Sequence, residues 1–141
     1  DRTFDFNYDA LQTGRRTVSN MNADGVLQDR SAKLFRGTID FQKGAAGSKG
    51  DEKEDVLLLG EDVVNRTIPL ILCAEEDVEG NHGASIGQLD EDILFYMNSR
   101  GLSRAEAELL ITRSKLEALC AKANDPGLTD RVHRYLEENA Q

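Results

Sequence analysis

Apolar side chains in the first 88 residues recur at every second position or in short runs, and no helix-length periodic segment interrupts them. Phe4, Phe6 and Tyr8 alternate with Asp5 and Asn7, and Phe35, Gly37, Ile39 and Phe41 alternate with Arg36, Thr38 and Asp40. Val56–Leu59 and Ile68–Ala74 are short apolar runs; Pro69, which has no N–H to give a ladder, suits the start of a strand or an edge. Turn chemistry at Asn22–Gly25, Gly44–Gly50 and Gly60–Asp62 separates these segments, and the small, charged stretch Gly44–Asp55 reads as a mobile loop. Period-two patterning without intervening helices argues against βαβ units and for an all-β unit. A sandwich and a parallel β-helix both satisfy the pattern, because strand starts near 34, 55 and 69 are too unevenly spaced to define a repeat.

The last third changes period. Asp90 is placed to cap a helix over 91–99, with Glu91 and Asp92 in the first turn, where the helix dipole favours acids. Leu89, Ile93, Tyr96 and Met97 share a face at helical spacing, and Arg100-Gly101 supplies a stop. Ser103 and Glu106 form a capping box that opens a second helix over about 104–123. Asp125-Pro126-Gly127 breaks the chain before a short helix to about Asn139. The predicted organisation is therefore a β region, 1–88, followed by a helical subdomain, 89–141.

The net charge of −9 sits in one block. Residues 1–50 are net +2, residues 51–92 net −11 and residues 93–141 net zero. Such a block repels phosphate backbones and attracts cations and basic surfaces, so nucleic acid is not an expected partner. No apolar run approaches the roughly 20 residues of a membrane span, and a membrane partner is likewise not expected. Cys73 and Cys120 make no disulfide framework, which points to a reducing, cytoplasmic setting. The chain begins Asp1-Arg2-Thr3 without Met and reads as a piece of a longer protein, truncated on its N-terminal side.

Nucleophile and phosphate-loop chemistry find no support. Ser85 lacks the Gly-x-Ser-x-Gly spacing, and there is neither a Walker A motif nor Gly-x-Gly-x-x-Gly. The clustered acids define no acid/base pair of the kind a glycosidase needs, and no Trp is present to stack a sugar. One constellation stands out: Cys73, Glu79 and His82 lie within ten residues, His82 in a glycine-bounded turn. Thiolate, imidazole and carboxylate together suit borderline metals such as iron or zinc. Against that, Cys73 also fits a small core position, and a histidine among acids is often only a hydrogen-bonded structural group. His133, late in an amphipathic segment, reads as structural.

From Val78 to Gly101 the sequence runs Val-Glu-Gly-Asn-His-Gly-Ala-Ser-Ile-Gly-Gln-Leu-Asp-Glu-Asp-Ile-Leu-Phe-Tyr-Met-Asn-Ser-Arg-Gly, and Glu106-Ala107 follows. His-Gly-Ala, Leu-Asp-Glu, Phe-Tyr and Ser-Arg-Gly at this spacing resemble the signature of the SufB/SufD family, scaffold components of the SUF iron–sulfur cluster assembly system. Phe35–Ile39 and Val56–Gly60 resemble its β-helix rungs. The resemblance implies a mainly β fold with α: a right-handed parallel β-helix fragment followed by a small C-terminal helical subdomain. It implies no catalysis of its own, no tightly bound cofactor, and at most transient contact with iron or a nascent cluster. The implied partners are a SufC-type ATPase, docked on Asp90–Arg104 with Asp90, Glu91, Tyr96, Ser99 and Arg100 as candidate contacts, and a SufB-type chain or a second copy, paired through the β-helix. His82 occupies the family's His-Gly-Ala histidine, while Glu79 has no firm match. Where SufB-type members carry a functional Cys, this chain has Glu54, which favours a SufD-like member. Phe95 and Tyr96 are read as possible core residues. The competing reading is a stand-alone acidic metal-binding protein using Cys73, Glu79 and His82.

Overall fold

Six strands fill the first part of the chain: β1 (Thr3–Gln12), β2 (Val18–Gln28), β3 (Ala32–Phe41), β4 (Ser48–Leu59), β5 (Val64–Cys73) and β6 (Val78–Gln88). The computed structural model describes residues 2–123, 125 and 127–139. Successive strands alternate between two three-stranded sheets, ordered β1-β3-β5 and β2-β4-β6. The pairing is parallel and in long register: Thr3 lies opposite Ala32, Ala32 opposite Val64, and Val18 opposite Lys49. The fold is thus mainly β with three helices, and it divides into two compact units, Asp1–Gly87 and Gln88–Gln141.

β3 is the strand the sequence makes plainest. Phe35, Gly37, Ile39 and Phe41 are buried and the residues between them are not. Ile39 and Phe41 join Ala45 in the apolar core, with Ile71 and Val78 packed on them. Gly50 of β4 completes that packing, since a Cβ there would stand 2.6 Å from Ile39 Cγ2 and 3.1 Å from the Phe41 ring. Beside this core a polar lattice is also buried. Gln12 Nε2 donates to Ser19 Oγ at 2.6 Å and to the Lys49 carbonyl at 3.1 Å, while Thr17 Oγ1 donates to Gln12 Oε1 at 2.6 Å.

Two stretches read from sequence as a loop and a turn are strand. Gly44–Asp55 contains most of β4, whose Ser48, Gly50, Glu52, Glu54 and Val56 point inward while Lys49, Asp51, Lys53 and Asp55 do not. Its alternation is one of charge and size rather than of apolarity, which hides it from a hydrophobic pattern. Asn22–Gly25 lies inside β2, held by continuous pairing from Val18 opposite Lys49 to Gln28 opposite Leu59. Pro69 sits in the middle of β5, an edge strand of its sheet, where a missing N–H is tolerated.

The helical unit contains α1 (Glu91–Ser99), α2 (Arg104–Cys120) and α3 (Leu128–Asn139). Asp90 caps α1 by accepting from the Asp92 N–H at 2.8 Å. The Ser103–Glu106 capping box forms in both directions at the start of α2. Arg100 closes α1, and Gly101 takes φ +93, a left-handed conformation that suits glycine. The buried face of α1 is displaced from the expected one. Leu94 is 1% exposed, whereas Ile93 and Tyr96 are exposed and Phe95 is 75% exposed. Leu89 and Met97 of the expected face are half-buried, so Ile93 and Tyr96 are its misplaced members, and Leu94, about 100° further round than Ile93, is the buried centre. His133 of α3 meets Glu117 of α2 at 2.5 Å, a structural contact. The break expected at Asp125-Pro126-Gly127 falls partly outside the described residues, at Pro126. No helix among the described residues is long and apolar enough to cross a membrane.

Candidate functional site

β6 carries His82 and lies beside β4 in its sheet. Two hydrogen bonds fix the alignment of the pair. Lys49 Nζ donates to Glu79 Oε2 at 2.6 Å, and Asn81 Nδ2 donates to Asp51 Oδ1 at 3.2 Å, each spanning 30 positions. Both pairs are exposed and lie on the outer face. Side chains alternate along a strand, so Gly80 and His82 belong to the opposite face. The same 30-residue step that joins Lys49 to Glu79 sets His82 beside Glu52.

That inner face carries a polar group which the apolar pattern did not reveal. Glu52 and Glu54 are both 3% exposed. Glu54 is well supplied: Lys33 Nζ and Thr67 Oγ1 donate to its two oxygens, and Asn65 Nδ2 adds a longer contact at 3.5 Å. Lys33 also lies over the Phe35 ring, 5.5 Å from its centroid. Glu52 differs in that its buried Oε2 has no hydrogen-bond donor among the described residues. Burial pushes the Glu52 carboxyl above its ordinary range; His82 pulls it back down and Glu54 adds to the rise. Gly37 makes room for this carboxylate, because a Cβ at that position would fall 2.6 Å from Glu52 Cδ.

Cys73, Glu79 and His82 are not brought together. Among the described residues no group of three or more His, Cys, Asp or Glu side chains is arranged to hold a metal ion. Glu79 and His82 are three positions apart and so face opposite ways. Glu79 is engaged outside with Lys49, whose hydrogen bond first and charge second hold its carboxyl below the usual range. Cys73 ends β5 in the other sheet, exposed and in register with Phe41. Glu52 lies across from Gly37, four residues from Phe41 along β3, so Cys73 is displaced from His82 by roughly 13 Å along the strand direction.

Asp90, Glu91, Tyr96, Ser99 and Arg100 share one short helix and its caps. Asp90 is occupied as the N-cap. Glu91 is exposed and reaches Arg104 at 3.4 Å. Arg100 lies over the Tyr96 ring at 5.2 Å, and Ser99 Oγ donates to the Tyr96 carbonyl at 2.7 Å. Beside them Phe95 and Ile93 stand out into solvent. The buried polar group (Lys33, Glu52, Asn65, Thr67) is what sequence reasoning missed, apart from Glu54, which it singled out only as a departure from a family pattern. The available signal was the alternation of Ser, Gly, Glu and Glu with charged residues across 48–55.

The model of the SufBD core domain, SUF system FeS cluster assembly, matches residues 1–115. The iron–sulfur cluster assembly protein SufD of Bacillus subtilis is 30% identical over 111 residues, covering 79% of this chain and 25% of that protein. The iron–sulfur cluster assembly SufBD family protein of Mycobacterium tuberculosis is 34% identical over 111 residues, covering 77% of this chain and 13% of the relative. SufD of Escherichia coli is 28% identical over 107 residues, covering 76% of this chain and 25% of that protein. The chain thus spans a quarter or less of the length of these relatives.

Proposed function

We propose a scaffold function for this chain, which belongs to the SufBD core-domain family of the SUF iron–sulfur cluster assembly system. In this reading it takes part in cluster assembly without catalysing a reaction itself. Residues 1–88 form part of a right-handed parallel β-helix; strands that alternate between two parallel sheets support that architecture. The β-helix pairs with a SufB- or SufD-type chain or with a second copy. The outer face of β5, where Val64, Ile68, Leu70 and Leu72 are exposed, and the exposed residues 79–88 of β6 support pairing at this end. The helical subdomain, 89–141, docks a SufC-type ATPase. Glu54, in place of a thiolate, supports a SufD-like role, and His82 is the residue that meets iron or a nascent cluster in passing.

The observation that carries the docking step is the outward set on α1, Ile93, Phe95 and Tyr96, held by a cap at each end of the helix. Exposed aromatics of this kind act as interface anchors. The test is co-purification of the 141-residue chain with the SufC-type ATPase of the same organism, with Phe95→Asp alongside. The wild type is expected to retain the ATPase, and Phe95→Asp to lose it with an unchanged melting midpoint. Failure of the well-folded wild type to bind, or full binding by Phe95→Asp, would remove the docking role of α1.

A further inference from the structure

We propose that α3 is a strap on α2 that a protonated His133 fastens and a neutral one loosens, so that pH sets access to the buried thiol of Cys120. The inference goes beyond the scaffold reading and does not depend on it.

The first observation is the register of the two helices. His133 Nε2 lies 2.5 Å from Glu117 Oε1, and Arg113 Nη2 lies 3.9 Å from Glu137 Oε1. Four residues back on α2 is four residues forward on α3, so the two helices run antiparallel. One turn further along α2, the same register sets Cys120 beside the first turn of α3, around Thr129 and Asp130. Arg113, Glu117 and Cys120 share one face of α2 at helical spacing. Cys120 is 6% exposed.

The second observation is how little apolar surface holds the strap. No described side chain of α3 is buried, and Leu128, Val132 and Leu136 are its half-buried aliphatics. On α2, by contrast, Ala107, Thr112 and Cys120 are buried. An element with few buried apolar groups opens locally at small cost.

The third observation is the charge at the joint. Arg113 Nε reaches the same Glu117 oxygen at 3.3 Å, and Arg113 is also the cation nearest Glu137. With a neutral His133 this cluster sets one cation against two carboxylates; a protonated ring makes it even. Asp130, one turn back from His133 on α3, is exposed and adds charge of the same sign as the carboxylates. The buried Nε2 of His133 has no hydrogen-bond partner among the described residues, despite its nearness to Glu117. What the contact offers is therefore charge. A carboxylate attracts the protonated ring and repels a lone pair on Nε2. Histidine is the side chain that changes charge between about pH 5 and pH 8. The joint is complete while His133 carries its proton and weakens as rising pH removes it.

The test is brief alkylation of the full chain by iodoacetamide from about pH 5.5 to about pH 8, with each thiol counted by mass spectrometry. Cys73 is exposed and serves as the reference in the same molecule. The thiolate fraction of any thiol rises with pH, and the ratio of Cys120 to Cys73 labelling removes that common rise. The wild-type ratio is expected to climb by about fivefold, the effect of losing one partly exposed ion pair. His133→Gln and Glu117→Gln should each remove the step. Arg134→Gln, next in sequence to His133 and exposed, should keep it. Circular dichroism confirms that each variant is folded. A flat ratio in the wild type, an undiminished step in folded His133→Gln or Glu117→Gln, or its loss in Arg134→Gln would overturn the proposal.

Discussion

β3 and β4 each turn every second side chain inward, and they fill one interior with opposite chemistry. β3 contributes Phe35, Ile39 and Phe41 with a glycine among them; β4 contributes Ser48, Gly50, Glu52 and Glu54 before its first inward aliphatic, Val56. The glycines are complementary. Gly50 admits Ile39 and Phe41, and Gly37 admits Glu52. Each strand thus recedes where the other projects. The difference teaches that burial and apolarity are separate properties of a strand. A polar row can be buried in a parallel stack provided its charges are answered by neighbours, as Lys33, Thr67 and Asn65 answer Glu54.

Substitutions in the two rows should separate their contributions. The largest effect is expected on the apolar side: Phe41, 0% exposed, replaced by alanine should lower stability by about 4 kcal/mol, measured by denaturant unfolding. Loss below about 1 kcal/mol would mean that the row is not tightly packed. On the polar side, Lys33→Met strands the Glu54 charge and should cost about 3 kcal/mol, with most of it recovered in Lys33→Met/Glu54→Gln. A double variant as unstable as the single would show that Lys33 acts through its stem on Phe35 instead.

The smallest effect is the most diagnostic. The Glu52 carboxyl is raised above its ordinary value of 4.5, chiefly by burial. The folded chain therefore holds this proton more tightly than the unfolded chain does. Its contribution is complete below that value and is lost as pH rises through the raised one. Glu52→Gln should flatten this part of the profile, with a gain of about 1 kcal/mol at neutral pH and none at pH 4, in metal-free buffer. Parallel pH profiles for wild type and variant would show that Glu52 has a donor after all.

Much of the architecture was legible, and the gaps have a common cause. The strand β3 and the caps at Asp90 and Ser103 could be read because local side chains alone determine them. β4 could not, because its inward row is polar and gains its partners only from β3 and β5. The metal trio was assembled by nearness in sequence, but an odd spacing along a strand parts Glu79 from His82 as surely as a long one. In α1, Phe95 is on the surface and Leu94, one position earlier, is the buried anchor, while Leu89 and Met97 keep half-buried places. The carboxylate that the alignment of β4 and β6 sets beside His82 belongs to another strand, 30 positions earlier, a relation that sequence nearness does not supply.

That register also governs which changes of length the chain can absorb. β3 is paired on both sides, to β1 and to β5. A single residue inserted within it would slip two ladders together and turn Phe35, Ile39 and Phe41 to the outside. The corners are stacked by local bonds such as Asp29 N–H to the Leu59 carbonyl and Arg16 N–H to the Ala46 carbonyl, and the corner at 42–47 is the tighter one because Ala45 there joins the core. An insertion at a corner breaks bonds local to that corner and leaves every strand in step. Divergence in length among related chains should therefore gather at the corners between strands, where growth is cheap and the stacked rows are spared.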